Sequence, residues 1–189
     1  MKASLDISTF EYARMTQPLP RLPRALDLLA YGFGSGRSPK APGTVGSALA
    51  VVWFAAFASF PLPVYLIWVA IAAVAGVAIC GEAAKHMGVH DHPGIVWDEF
   101  VGQWIALIPV VPLLNWDTHH VIAVLLGFGL FRLFDIWKPW PVSWADGHVH
   151  GGLGIMLDDI IAGAMAAIVL YFILPYLPAA EAGWFGIVQ

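Results

Sequence analysis

Charge is excluded from long parts of this chain and crowded into the segments between them. No Asp, Glu, Lys or Arg occurs from residue 41 to residue 81. Roughly 20 apolar residues cross the hydrocarbon core of a bilayer, and Pro61 and Pro63 divide this run near its middle. The pattern therefore predicts a helical hairpin over 44–60 and 62–81. A third apolar stretch, 100–114, is short and holds Pro109 and Pro112, which predicts a kinked or partly inserted segment. A fourth covers 119–134 and ends around Arg132. A fifth, 153–177, carries Asp158 and Asp159 in its first turns. Residues 21–31 mix Arg21, Arg24 and Asp27 with leucines and predict a short amphipathic surface helix. The expected fold is all-α, a polytopic helical membrane protein with four to five membrane helices plus that N-terminal helix. One helical membrane domain is expected over 21–178, between tails at 1–20 and 179–189.

Composition agrees with the pattern. The 189 residues are 59% hydrophobic and 12% charged, and the mean hydropathy is +0.75. Soluble domains carry about 25% charged residues. A net charge of −4 offers no reason to expect nucleic acid as a partner. Cys80 is the only cysteine, so no internal disulfide or cysteine metal cluster can form. Its apolar surroundings point to a packed thiol. The first 20 residues lack the apolar core, about 7–15 residues long, of a cleaved signal peptide.

Five alternating spans put 1–43, 82–99 and 132–155 on one side of the membrane. All nine Lys and Arg residues fall there, and eleven of the thirteen acids lie there or, like Asp158 and Asp159, just inside the adjoining span, leaving Asp117 and Glu181 opposite. The positive-inside tendency makes that side cytoplasmic. Trp97, Trp137, Trp140 and Trp144 flank the same face and fit either an interfacial aromatic belt or plain helix packing.

Four constellations there could carry chemistry. Gly32-Phe33-Gly34-Ser35-Gly36, followed by Lys40 and by Thr44 at a helix start, could turn backbone N–H groups toward an anionic phosphate. The same glycines would serve a flexible turn equally well, and their spacing is neither a Walker A nor a dinucleotide motif. In His90-Asp91-His92-Pro93-Gly94, continuing to Asp98-Glu99, the carboxylates suit Mg²⁺ and the histidines suit proton transfer. Acids at a helix N-terminus are also favoured by the dipole alone. Arg132, Asp135 and Lys138 line one face if their helix continues, either as an ion-pair ladder or to hold a phosphate and a metal. His148 and His150 precede Asp158-Asp159, and adjacent helical residues diverge by about 100°, so those two acids should have different tasks. Acids beside hydrocarbon are costly and need a cation, a metal or a task.

In order along the chain, Gly32-Phe33-Gly34-Ser35-Gly36, Pro42-Gly43-Thr44-Val45-Gly46-Ser47, Val96-Trp97-Asp98-Glu99-Phe100, Phe131-Arg132-Leu133-Phe134-Asp135 with Lys138-Pro139, and Gly151 to Asp159 resemble the phosphatidylglycerophosphatase A family. The resemblance runs over about 25–175. It implies a Mg²⁺-dependent membrane phosphatase that hydrolyses phosphatidylglycerophosphate to phosphatidylglycerol and phosphate at the inner face of the bacterial cytoplasmic membrane. On that basis Asp98, Glu99, Asp135, Asp158 and Asp159 are expected to hold Mg²⁺. Ser35, Lys40, Thr44, Arg132 and Lys138 are expected to neutralise the phosphate, and His92 or His150 to protonate the leaving group. Water is the expected nucleophile, with an aspartyl-phosphate as an alternative. The chain has no Cys-x₅-Arg sequence, which excludes a cysteine phosphatase. The main alternative is a cation- or proton-coupled transporter that uses the acids, although no repeated halves are evident. A phosphotransferase would need a longer ordered run of acids.

Overall fold

The computed structural model describes residues 22–89, 92–113 and 118–177. Both expected tails lie outside the described residues, as do His90, Asp91, Asp117 and Glu181. Within them every regular element is helical.

Seven α-helices follow in order: α1 Arg24–Ala30, α2 Pro42–Phe57, α3 Leu62–Met87, α4 Trp97–Ala106, α5 Thr118–Trp137, α6 Val142–His148 and α7 Gly151–Ile173. Short 3₁₀ segments cover Gly32–Arg37, Ile108–Leu113 and Leu174–Tyr176. Proline and glycine set most of the limits. Pro42 and Pro63 lie in the first turns of α2 and α3, where a missing N–H costs nothing. Gly88 ends α3 in the left-handed region, its N–H donating to Ala84 O at 2.9 Å.

Among the described residues three helical runs are long and apolar enough to cross a membrane: Leu62–Met87, His119–Trp137 and Gly151–Tyr176. Each turns large apolar side chains outward, such as Ile71 and Val74 on α3, Leu125 and Ile136 on α5, and Ile168 and Phe172 on α7. An outward apolar face is what a lipid surround requires. The 16-residue α2 is apolar but shorter.

The third apolar stretch takes a different form from a span. Its helix, α4, has ten residues, eight of them buried by the protein itself. Leu107 then leads into the 3₁₀ segment at Pro109 and Pro112. Irregular backbone is tolerable at membrane depth when protein rather than lipid surrounds it, and Leu107, Val110 and Val111 are buried. Side-chain hydrogen bonds fasten α4 to its neighbours. The Trp104 indole donates to Ala50 O at 3.0 Å, the Trp97 indole donates to Ala72 O at 3.1 Å, and the Tyr65 hydroxyl donates to Trp104 O at 2.8 Å. The short, proline-broken stretch is thus the core around which α2, α3, α5 and α7 pack.

Glycines bring the backbones close. A methyl on Gly163 of α7 would strike the Gly102 carbonyl of α4, and one on Gly152 of α7 would strike the Val77 carbonyl of α3. Small residues permit such approaches between membrane helices.

Candidate active site

The closest crossing of α4 and α7 fixes the acids. Asp98 lies four residues before Gly102, and Asp159 four residues before Gly163, so each acid sits one helical turn above its glycine on the same face. The crossing therefore sets both carboxylates opposite each other. Glu99, next to Asp98, completes a group in which one carboxylate oxygen from each acid lies within 4.8 Å of the other two. Asp98 is 8% exposed and Asp159 3%.

Three ionised carboxylates that close repel strongly. At an effective dielectric constant near 20, each pair at this separation costs about 3.5 kcal/mol. A divalent cation reverses that sign. Mg²⁺ takes oxygen ligands at about 2.0–2.1 Å, so opposite ligands are about 4.1 Å apart. Oxygens no more than 4.8 Å apart need only a small inward movement to share one ion, and every donor is a hard oxygen. The trio fits a divalent metal.

The two other acids of the expected set engage cations. Arg132 Nη1 lies 2.6 Å from Asp135 Oδ2 and 3.9 Å from Glu99 Oε1, and it donates to Ser47 Oγ at 3.3 Å. Lys138 Nζ donates to Asp146 Oδ1 at 2.6 Å and to Asp158 Oδ2 at 3.0 Å. Asp158 and Asp159 thus diverge, one toward Lys138 and one into the trio, as the angular separation of adjacent helical residues requires. They are the eighth and ninth residues of α7, deeper than the first turns expected, because the helix starts at Gly151 rather than at 153.

Lys138 departs from the one-face ladder. Helix α5 ends at Trp137, and Lys138 turns into the left-handed region with φ 47° ahead of Pro139. That turn redirects its side chain to α6 and α7. Burial alone would lower the Lys138 pKa, but hydrogen bonds and charge from Asp146 and Asp158 outweigh it and hold the ammonium above the ordinary lysine value.

The glycine-rich segment packs more than it presents. Gly34 and Gly36 N–H both donate to Tyr31 O, Ser38 N–H donates to Ser35 O, and the Ser35 hydroxyl donates to Gly32 O at 2.7 Å. Methyls on Gly32 and Gly46 would strike Val96, and one on Gly36 would strike the Gly94 carbonyl. The segment is a close-fitting brace for the loop that enters α4. Lys40 is exposed and Thr44 half-buried. Gly43, beside Thr44, is at the site itself, because a methyl there would strike Glu99 Oε1 and sit 3.3 Å from Arg132 Nη1. His92 is buried, and its Nδ1 accepts the Gly94 N–H at 3.0 Å. His150 is exposed at the start of α7.

A family model, Phosphatidylglycerophosphatase A, matches residues 28–174, the interval that holds every one of these groups. The chain belongs to that family. It is 49% identical over 146 residues to the Escherichia coli protein named phosphatidylglycerophosphatase A, covering 77% of this chain and 81% of that one. The Haemophilus influenzae protein of the same name is 42% identical over 149 residues, covering 78% and 88%. A Bacteroides thetaiotaomicron protein, whose name provisionally gives it phosphatidylinositol-3-phosphatase activity, is 38% identical over 149 residues, covering 76% and 89%. No solved structure matches the chain.

The sequence alone assigns no role to Gly102, Asp146 or Gly163, and Gly43 and Ser47 enter it only as members of the motif from Pro42 to Ser47. The repeated spacing of an acid four residues before a glycine, in Asp98 to Gly102 and Asp159 to Gly163, was the available signal for the crossing.

Proposed function

We propose that this protein hydrolyses the terminal phosphomonoester of phosphatidylglycerophosphate, giving phosphatidylglycerol and inorganic phosphate, with Mg²⁺ as cofactor. The observation that carries the proposal is the buried trio Asp98, Glu99 and Asp159, flanked by Arg132 and Lys138, in a chain of this family. The trio would hold the ion, which when bound would supply Lewis-acid polarisation and charge neutralisation at phosphate oxygens.

The chain's own residues divide the remaining work. Asp135 and Asp158 hold Arg132 and Lys138 in place. Their cationic groups keep unused donors, because a guanidinium has five N–H groups and an ammonium three. Those donors would bind the phosphate oxygens and stabilise charge as it develops in the transition state. Thr44, next to Gly43, would add a hydroxyl at the edge of the site. Ser35 and Lys40 are weaker members of the phosphate set, one with its hydroxyl committed to a turn and one exposed. Water would attack phosphorus and the P–O bond to glycerol would break. A proton from His150, the exposed histidine, or from His92 would go to the leaving alkoxide.

The starts of α2 and α4 and the last turns of α5 carry groups of the site. Every Lys and Arg falls in the segments that alternating spans put on that side. The positive-inside tendency supports a cytoplasmic site in the bacterial inner membrane, at the height of lipid headgroups. The test is phosphate release by purified protein from phosphatidylglycerophosphate and from phosphatidylinositol 3-phosphate in mixed micelles, with Mg²⁺ and with EDTA. The expected result is preferential release from phosphatidylglycerophosphate that EDTA abolishes. No release from that lipid, or release that EDTA leaves unchanged, refutes the proposal.

A further inference from the structure

Gln103 is fully buried on α4, yet neither atom of its side-chain amide has a hydrogen-bond partner. Arg132 Nε is also buried without one. Leaving a buried polar group unsatisfied costs about 1–3 kcal/mol. Leucine or methionine would fill the same space without that cost, so packing alone does not account for the glutamine.

The position of Gln103 gives it a task. It follows Glu99 by four residues and so lies one turn deeper on the same face of α4. Helices α2 and α4 run side by side, because Gly43 abuts Glu99 and Ala50 O accepts the Trp104 indole. Between those two contacts lie Ser47 on α2 and Gln103 on α4. Ser47 Oγ in turn accepts from Arg132 at 3.3 Å. The register of α2 and α4 thus sets Gln103 one turn beneath Glu99, at the level of Ser47, the residue that meets Arg132.

We propose that Gln103 is a positioning residue for the acid trio, acting through a water shared between its amide and Arg132 Nε. The Nε–H donates to this water, the water donates to the Gln103 carbonyl oxygen, and Ser47 Oγ offers a further lone pair. Buried waters typically make about three such bonds. The bridge fixes the guanidinium in the orientation that meets Glu99 and Asp135 together, and so fixes Glu99 as a metal ligand. The inference rests on the metal-assisted phosphatase reading, and its test includes metal binding measured apart from turnover.

Gln103→Met and Gln103→Asn proteins are compared with wild type for melting temperature, Mn²⁺ affinity by electron paramagnetic resonance, and kcat/KM on phosphatidylglycerophosphate. Gln103→Met is expected to melt at or above the wild-type temperature while Mn²⁺ affinity and kcat/KM each fall about 10–100-fold, the usual effect of losing support behind a metal ligand. Gln103→Asn keeps an amide that water can reach and recovers most of both. Wild-type Mn²⁺ affinity in Gln103→Met overturns the inference, as does an equal deficit in both variants at unchanged melting temperature. A wild type that binds Mn²⁺ but leaves the lipid intact refutes the phosphatase reading instead, and the Mn²⁺ affinity of Gln103→Met still decides the role of Gln103.

Discussion

Replacing Gly163 by alanine tests whether the helix crossing sets the site. The added methyl would sit 3.0 Å from Gly102 C and 3.1 Å from its Cα, and would strike the carbonyl oxygen harder still. Ordinary contact begins at 3.4 Å, so the contact to Gly102 C alone asks α4 and α7 to part by about 0.4 Å, and the carbonyl oxygen asks for more. Backbone meets backbone there, and no flexible side chain can give way. Overpacking costs about 1–3 kcal/mol, while Gly→Ala in a helix returns about 1 kcal/mol, so the net loss is small enough for the protein to stay folded. The catalytic cost is larger. Asp98 and Asp159 ride on the separated helices one turn above the collision, and a displacement near 1 Å costs about 100-fold in rate. Gly163→Ala should therefore lower kcat/KM about 10–100-fold, with Mn²⁺ affinity falling in parallel and helical content by circular dichroism intact. Gly129→Ala on α5, where an added methyl meets nothing within 4 Å, is the control and should retain activity. Wild-type activity and metal affinity in folded Gly163→Ala would falsify the claim that this crossing positions the acids.

Gly43→Ala pushes only on side-chain ends, Glu99 Oε1 and Arg132 Nη1, so it should fold normally yet lose about tenfold or more in metal affinity; unchanged Mn²⁺ binding would count against the placement of Glu99. Lys138→Met should raise KM for phosphatidylglycerophosphate about 10–100-fold, the worth of a charged hydrogen bond, while Mn²⁺ still binds; an unchanged KM removes Lys138 from the phosphate set. The folded pKa of Lys138 lies above the unfolded value near 10.5. Its stabilising effect is therefore complete below that value and is lost only as pH rises beyond it. The melting-temperature difference between wild type and Lys138→Met should then stay level from neutrality to about pH 9. A difference that shrinks across that interval contradicts the pairing with Asp146 and Asp158.

Much of this arrangement could be read from residue order. Exclusion of charge located the apolar helices, and orientation gathered acids from distant segments onto one face. Adjacency alone separated Asp158 from Asp159. What escaped depends on geometry that one-dimensional periodicity does not carry. The hydrophobicity of 100–114 looks the same whether lipid or protein surrounds it, so the central, protein-covered role of α4 emerged only with its neighbours in place. The Arg132, Asp135 and Lys138 spacing assumed a continuing helix, but Pro139 stops it and Lys138 takes a left-handed turn to reach α6 and α7. The glycines of residues 32–36 suited phosphate by their freedom, whereas their small size proved to matter, letting the loop at Val96 close against them.

The central claim is that Asp98, Glu99 and Asp159 hold one divalent cation while Asp158 anchors Lys138. Titrating Mn²⁺ into purified wild-type, Asp159→Asn and Asp158→Asn proteins under electron paramagnetic resonance tests it most directly. The account predicts a tight site in wild type and Asp158→Asn that is lost in Asp159→Asn. Equal binding by Asp159→Asn and wild type, or loss confined to Asp158→Asn, would contradict it.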